Sequence, residues 1–240
     1  MQDTNASFST RAAWAVLAVI TIVALRIYCI LPRPSVVKRT RRRKLTCALG
    51  VFLGSGGHTS EAIALMSALD FSRYTPRTYF VSEGDILSAK KALAFESEKA
   101  AQTDSHSTLG TDPRSPYGIF TIPRARRVHQ SLFTTPFTAL RSVLSCIYYI
   151  TLAPLASQDN LPEVLILNGP GTACVLCVAV YVNKFLGLAS PRLIYVESFA
   201  RVGSLSLSGK LLRPFVDRFI VQWPDLAKER PGVEYRGWLV

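Results

Sequence analysis

The chain has 240 residues, and its 28 Lys and Arg against 16 Asp and Glu give a formal net charge of +12. This length suits about one or two domains, and a hydrophobic share of 49% argues against a chain that is soluble throughout. Seven of the positive charges lie in one run, which leaves +5 (12 less 7) for all other positions. The high charge is therefore local, and a nucleic-acid partner is not predicted.

A membrane anchor is predicted near the start of the chain. Residues 12–31 are twenty apolar residues interrupted by a single charge, Arg26. At a rise of 1.5 Å per residue they would span about 30 Å, the thickness of the hydrocarbon core. A cleaved signal peptide, the alternative, carries its positive charge ahead of a shorter apolar core. Here the basic run follows the span, as Arg33, Lys38, Arg39, Arg41, Arg42, Arg43 and Lys44.

The basic run also sets the predicted orientation, because positive residues flanking a span are retained in the cytosol. We expect a short luminal N-terminus at 1–11, a transmembrane anchor at 12–31, a basic juxtamembrane linker at 32–44 and a cytosolic domain at 45–240. Beside a membrane, the run favours contact with anionic lipid headgroups. A nuclear-localisation signal is the alternative interpretation of the same residues.

The five cysteines include one closely spaced pair, Cys174 and Cys177. Such a pair can belong to a zinc site or a redox motif, but its surroundings, TACVLCVAVYV, are apolar and have no second ligand pair at metal spacing. Two buried, reduced thiols are the favoured interpretation. We predict neither a metal nor a cofactor.

From residue 45 onwards, apolar runs of strand length alternate with segments of helical periodicity. Strands are predicted at 45–53, 77–82, 118–123, 164–167, 193–196 and 217–223, helices at 60–69, 85–96, 131–156, 172–186 and 208–215, and a polar loop at 97–118. Strands that are apolar on both faces and alternate with helices indicate a parallel sheet covered on both sides. The predicted fold class is α/β, with one doubly wound parallel sheet after one transmembrane helix.

The long apolar segment at 131–156 has two possible roles. Its length would allow a second span, but Pro136 and Pro154 bracket it and Arg141 lies within it. We therefore predict a helix that packs on the sheet and touches lipid with one face.

The turn after the first predicted strand has an unusual composition: Gly54, Ser55, Gly56, Gly57, His58 and Thr59. Glycines let the backbone approach a ligand, and a helix start presents free N–H groups and the positive end of its dipole. This combination favours a phosphate or diphosphate. Neither the P-loop pattern nor the dinucleotide pattern fits. The alternative is a tight turn in which Thr59 or Ser60 caps the helix.

Two further strand ends carry candidate residues. A second small-residue turn, which opens a helix, consists of Asn168, Gly169, Pro170, Gly171 and Thr172. Asn168 could donate a hydrogen bond to a ligand. A plain turn without a ligand is equally compatible with these residues. Glu197 directly follows the fifth strand, where a carboxylate could act as a base. It could equally form a structural ion pair with Arg201.

Four motifs together resemble a known family: FLGSGGHTSE, the NGPGT turn, YVESFARV and the ending DRFIVQWPDL…YRGWLV. They occur in the order found in the membrane-anchor subunit of the dolichol-pathway N-acetylglucosaminyltransferase, an enzyme split over two chains. The resemblance covers nearly all of residues 45–240. It implies a Rossmann-like domain that forms the N-terminal, acceptor-side half of a split GT-B glycosyltransferase at the endoplasmic reticulum.

The resemblance also implies partners and site residues. A soluble catalytic subunit would bind most of the UDP-GlcNAc, and this chain would bind the dolichol-linked acceptor and the membrane. His58 would assist deprotonation of the acceptor hydroxyl or orient its loop, with Glu197 as the alternative base. The substrate-binding set would be Gly54, Ser55, Gly56, Gly57, Thr59, Asn168, Gly169 and Gly171.

The end of the chain would bind the partner through Trp238, Leu239 and Val240. Alternatively, this end packs onto its own sheet. Two other functions are compatible with the sequence: a self-sufficient membrane-bound sugar-nucleotide enzyme, and a scaffold whose glycine turn is only structural.

Overall fold

One parallel sheet organises the domain that follows the N-terminal helix. The computed structural model describes residues 2–32, 45–104, 117–126, 130–131, 133–157, 161–169, 171–228 and 230–240. In these ranges the strands are β1 Leu49–Leu53, β2 Arg77–Ser82, β3 Tyr117–Ile122, β4 Val164–Leu167, β5 Arg192–Val196, β6 Arg218–Val221 and β7 Val233–Tyr235. Their order is β3-β2-β1-β4-β5-β6-β7, and every neighbouring pair is parallel.

Helices cover both faces of the sheet. They are α1 Gln2–Ile30, α2 Gly57–Ser67, α3 Ile86–Asp104, α4 Thr135–Ile147, α5 Ala153–Ser157, α6 Thr172–Leu186, α7 Leu207–Leu212 and α8 Pro224–Ala227, with a π-helical segment at Tyr148–Leu152 joining α4 to α5. Val51 packs with α2 and α3 in one core, while Phe52 packs with α4, α6 and α7 in the other. This alternation along β1 confirms the predicted doubly wound, Rossmann-like α/β fold.

Several predicted boundaries differ from the structure. The sequence predicted six strands, and β7 adds a seventh at the edge of the sheet. Residues 97–104 continue α3 and are not part of a loop, while the rest of that predicted loop, up to 116, lies outside the described residues. Helix α2 begins at Gly57, within the glycine turn, and not at Ser60. The basic run at 33–44 also lies outside the described residues.

Helix α1 is joined to the sheet domain through hydrogen bonds of Arg26. Arg26 donates from Nε to the carbonyl of Phe185 at 3.0 Å and from Nη2 to that of Lys184 at 2.9 Å. These carbonyls belong to the last turn of α6, where helix carbonyls lack intrahelical partners and the dipole is negative. The segment Ala13–Ile30 is long and apolar enough to cross a membrane. The single charge of this segment, Arg26, therefore hydrogen-bonds to carbonyls at the C-terminal end of α6.

The segment from α4 to α5 lies on the same face of the sheet as α6. Ser142 is buried and donates to the carbonyl of Pro123 at 2.7 Å, and Cys146 and Ile150 enter the core. The opposite side presents an exposed apolar stripe at three- and four-residue spacing: Phe133, Phe137, Leu140, Leu144, Tyr148, Leu152 and Leu155. The predicted packing on the domain is confirmed. Contact between this stripe and lipid stays a prediction.

A buried ion pair fixes β2 to α3. Arg77 donates from Nε and Nη2 to the two carboxylate oxygens of Glu96 at 2.7 and 2.8 Å, and both residues are only 4% exposed. Tyr79 donates its hydroxyl to the same carboxylate at 2.6 Å. Burial and this carboxylate raise the pKa of Tyr79 far above its ordinary value. The pair is thus fully hydrogen-bonded where an unpaired charge would be costly.

Replacing Glu96 by Gln should lower the free energy of unfolding by about 3–5 kcal/mol, because it leaves the Arg77 charge buried without its partner. Thermal unfolding of the full chain in detergent measures this. Glu98→Gln, at an exposed position of the same helix, is the matched control and should change stability little. Equal unfolding temperatures for the two variants would contradict the assignment.

Candidate functional site

The two glycine turns meet where the connections of the sheet change direction. Strands β1 and β4 are neighbours, but α2 and α6, which follow them, cover opposite faces. In open α/β sheets this switch point forms a crevice at the carboxyl ends of the strands. The turns touch: a Cβ built on Gly54 would lie 3.0 Å from the carbonyl oxygen of Asn168. The sequence predicted both turns, and the sheet order brings them together.

A cavity of about 980 Å³ opens at this crevice. Five of the predicted site residues line it: Ser55, His58, Gly169, Gly171 and Glu197. The walls also include Arg124 and Arg126 after β3, Arg201 after β5 and the start of α7. Loops from four strands therefore converge on one cavity.

His58 is held by a hydrogen-bond network between the turns. Asn168 donates from its amide nitrogen to Glu61 at 2.9 Å, which leaves its carbonyl oxygen, 2.9 Å from Nδ1, facing His58. Because that oxygen can only accept, Nδ1 carries the proton and Nε2 holds the lone pair of the neutral ring. Ser198 completes the network by donating to the other oxygen of Glu61 at 2.7 Å. The histidine is thereby fixed in orientation and in tautomer.

Two glycines give the imidazole of His58 its space. A Cβ on Gly54 would lie 2.8 Å from the Cβ of His58, and a Cβ on Gly169 would lie 3.2 Å from its Cγ. Gly169 also has a φ of +109°, which side chains rarely adopt. These two glycines serve the placement of His58.

The remaining site glycines lie in open space at the starts of α2 and α6. Nothing lies within 4 Å of a Cβ built on Gly56, Gly57 or Gly171. Gly56 precedes the helix with a φ of +67° and makes no side-chain cap. The first N–H groups of α2 therefore face a region where a ligand can approach the backbone.

Thr59 lies in the same turn but points away from the cavity. It is 1% exposed, and its hydroxyl bonds to the carbonyl of Gly54 and, at 2.5 Å, to the hydroxyl of Ser88. Its backbone N–H donates to the carbonyl of Gly56 at 3.2 Å. The structure thus places Thr59 as a support of the turn, where the sequence had predicted a ligand contact.

Glu197 is buried at the end of β5 and bonds to its neighbours. It is 1% exposed. One carboxylate oxygen accepts from the N–H of Ser198 at 3.1 Å, and the other accepts from the N–H and the hydroxyl of Ser206, each at 3.0 Å. Ser206 in turn caps α7 by accepting from the N–H of Gly209 at 2.9 Å. The carboxylate therefore anchors the start of α7, and Arg201 is not among the partners described.

Arginines that the sequence analysis did not single out make the cavity positive. Arg124 donates to the carbonyl of Glu83 at 3.0 Å, and Arg126 donates to that of Gln130 at 3.1 Å. These acceptors are neutral, so the contacts position the guanidinium groups without cancelling their charge. Together with Arg201 and the starts of α2 and α6, they suit an anionic ligand with several oxygens.

Cys174 and Cys177 are thiols in α6, the first half-buried and the second buried. Burial raises the pKa of Cys177 to about 12 and also raises that of Cys174, so both are protonated at neutral pH. Their predicted structural role agrees with this environment. In the part of the chain that the structure describes, no group of three or more His, Cys, Asp or Glu could hold a metal ion.

The C-terminal tail packs beside the cavity and also leaves side chains exposed. Trp238 contacts Phe199 and Trp223, with ring centroids 6.0 and 5.7 Å apart, and Leu239 donates its N–H to Gln222 at 3.1 Å. Trp238 is nonetheless 66% exposed, and Val240 is 39% exposed. The tail is thus ordered by its own domain while presenting apolar surface.

Comparisons with known proteins agree with the motifs. A family model described as "Oligosaccharide biosynthesis protein Alg14 like" matches residues 49–239. The UDP-N-acetylglucosamine transferase subunit ALG14 of Cryptococcus neoformans var. neoformans serotype D (strain JEC21 / ATCC MYA-565) is 44% identical, over 95% of this chain and 96% of that protein. The subunit of the same name from Mus musculus is 38% identical, over 90% and 91%.

Among solved structures, MurG from Acinetobacter baumannii aligns with 79% of this chain and 45% of that one, with a TM-score of 0.49 and 13% identity. The family assignment rests on the sequence matches, which cover most of the chain and most of the relatives. By these matches the chain belongs to the Alg14 family, as its motifs had indicated.

Proposed function

We propose that this chain is the membrane-anchoring, acceptor-binding subunit of a two-chain UDP-GlcNAc transferase. Its relatives are named as subunits of a UDP-N-acetylglucosamine transferase. In this proposal the complex adds the second GlcNAc to GlcNAc-diphosphodolichol at the cytosolic face of the endoplasmic reticulum. A soluble catalytic subunit supplies most of the UDP-GlcNAc site, and this chain forms the acceptor-side half of a GT-B enzyme.

The observation that carries the proposal is the positive cavity at the switch point. It combines two helix starts and Arg124, Arg126 and Arg201 with a histidine of fixed tautomer. A diphosphate linked to a sugar would place its anionic oxygens against the helix starts and arginines. The sugar hydroxyl would then lie towards His58. Residues 45–240 also suffice for one α/β domain, whereas a donor-and-acceptor transferase needs a cleft between two.

In the proposed reaction, the acceptor hydroxyl attacks the anomeric carbon of UDP-GlcNAc. The new bond joins that oxygen to the anomeric carbon, the bond from this carbon to the UDP oxygen breaks, and UDP leaves with the electron pair. The hydroxyl proton passes to Nε2 of His58, because Nδ1 already carries a proton that is held by Asn168. Glu197 serves as a positioning residue, since both its oxygens accept hydrogen bonds from the loop that starts α7.

Transfer assays on membranes test the division of labour. Membranes containing this chain should transfer GlcNAc from UDP-GlcNAc to a GlcNAc-diphosphodolichol analogue only when a cytosolic fraction with the partner is added. Full activity without that fraction would favour a self-sufficient enzyme. If substitutions in the cavity leave the activity of the complex unchanged, the result would favour a scaffold role for this chain.

His58→Ala should lower kcat of the complex by about 10²–10⁴-fold, the usual contribution of a general base. Co-purification of the partner should not change. His58→Gln is the matched variant, because its amide can hydrogen-bond but cannot take up a proton. If Gln restores most of the activity, His58 orients the turn and proton transfer lies elsewhere.

Gly57→Ala should preserve folding but raise the acceptor KM about tenfold, because binding made equally in ground and transition states affects KM alone. Its new methyl group would meet no protein atom within 4 Å but would occupy the open space at the start of α2. Gly203→Ala is the control, since that position is equally open and lies in neither glycine turn. An unchanged KM in Gly57→Ala would show that the diphosphate binds elsewhere.

Trp238→Ala should weaken recruitment of the partner by about 2 kcal/mol or more, the size typical of a central aromatic residue in an interface. Pull-down of the partner at graded concentrations measures this. Ile86→Ala is matched in exposure, 69% against 66%, and lies on α3. Recruitment that survives Trp238→Ala unchanged would assign the tail to its own sheet only.

A further inference from the structure

A second cavity lies between the end of the anchor and the domain. It has a volume of about 510 Å³, within the range of roughly 300–1,000 Å³ common for small-molecule sites. Residues at the end of α1 and on the outer sides of α6 and α7 line it, among them Ile27, Val178, Phe185 and Phe215. We call this cavity the anchor groove.

The walls of the anchor groove are apolar. The thiols of Cys174 and Cys177 and the hydroxyl of Tyr181 are the polar side-chain groups among its lining residues. The Tyr181 hydroxyl donates to the carbonyl of Phe215 at 2.8 Å. Val178 and Leu186 are 48% and 61% exposed. Such a groove offers hydrocarbon contacts and no charged partner, so its lining suits a hydrocarbon chain.

The anchor groove adjoins the positive cavity. Cys174 and Leu211 line both of them. Helix α6 begins with Thr172 in the wall of the positive cavity and ends at the carbonyls that Arg26 holds. Its fifteen residues cover about 22 Å at 1.5 Å per residue. One helix therefore runs from the anion-binding region to the anchor, with the groove along its outer side.

We propose that the anchor groove binds the first isoprenoid units of the lipid-linked acceptor. The diphosphate occupies the positive cavity, and the attached hydrocarbon passes Cys174 and Leu211 and follows α6 to α1. This proposal rests on the proposed function, because it takes the acceptor from there. It adds a site for the lipid part, where the chain would otherwise cross water between the bilayer and the cavity.

The exposed stripe of α4 fits this hydrocarbon less well. It is a row of side chains along one convex helix face, and among the described residues no member of it lines the positive cavity. A chain bound there would have to leave the diphosphate without a continuous apolar wall. The anchor groove provides an apolar wall, which is formed by α1, α6 and α7.

Filling the anchor groove tests the proposal in the assembled complex. Val178→Trp should raise the KM for a long-chain dolichol-linked acceptor about tenfold, with kcat unchanged, because the lost contacts act on binding alone. A truncated acceptor that carries a methyl group in place of the isoprenoid chain should keep its KM within about twofold, because it has no units that enter the groove. Leu93→Trp, at an exposed position of α3 on the other face of the sheet, is the matched control and should change neither KM.

The possible results distinguish a failure of the groove assignment from a failure of the proposed function. If Val178→Trp changes neither KM, or raises both by the same factor, the anchor groove is not the lipid site although the complex is the proposed transferase. If the unaltered complex transfers to neither acceptor, the proposed function fails and the groove assignment falls with it.

Photolabelling provides a readout that does not depend on turnover. A dolichol-linked acceptor with a diazirine on its second isoprenoid unit should label peptides from α6 or α7 in membranes that contain the complex. An excess of unlabelled acceptor should abolish this labelling, whereas bulk lipid should not. Labelling confined to α4, or insensitive to the unlabelled acceptor, would overturn the proposal.

Discussion

His58 reaches Asn168 because β1 and β4 lie side by side while the helices that follow them cover opposite faces of the sheet. That divergence opens the crevice, and the contact of 2.9 Å across it fixes both the direction and the tautomer of the imidazole. The glycines are placed accordingly. Gly54 and Gly169 make room for the ring, and the open Gly56, Gly57 and Gly171 leave the helix starts accessible to a ligand.

The sequence predicted the local part of this arrangement well. Apolar runs identified six of the seven strands, and glycine-rich turns identified two loops of the cavity, because both signals depend on neighbouring residues. Strand β7 was missed because three residues with one charge form no apolar run. Helix α3 was predicted too short because its last residues, SEKAAQTD at 97–104, are mostly polar.

The features that depend on contacts between residues far apart in the sequence could not be predicted from local patterns. Glu61 and Ser198 join the His58 network across 137 residues of sequence, and Arg124 and Arg126 reach the cavity only through the sheet order. Conversely, Thr59 and Glu197 have residue types suited to ligand binding, yet their polar atoms bond within the protein. A residue type shows what a side chain can do, and its partners show what remains for a ligand.

The contact made by Arg26 gives α1 a structural role in the domain. A hydrophobic segment that served only as a membrane tether could be exchanged for any other hydrophobic segment of equal length. Here α1 closes the last turn of α6 and forms one side of a groove. A chain shortened to its sheet domain would lose the hydrogen bonds from Arg26 to the carbonyls of Lys184 and Phe185, and with them that side of the groove. The sheet domain alone and the intact protein therefore differ at this groove, and kinetics measured on the first do not describe the second.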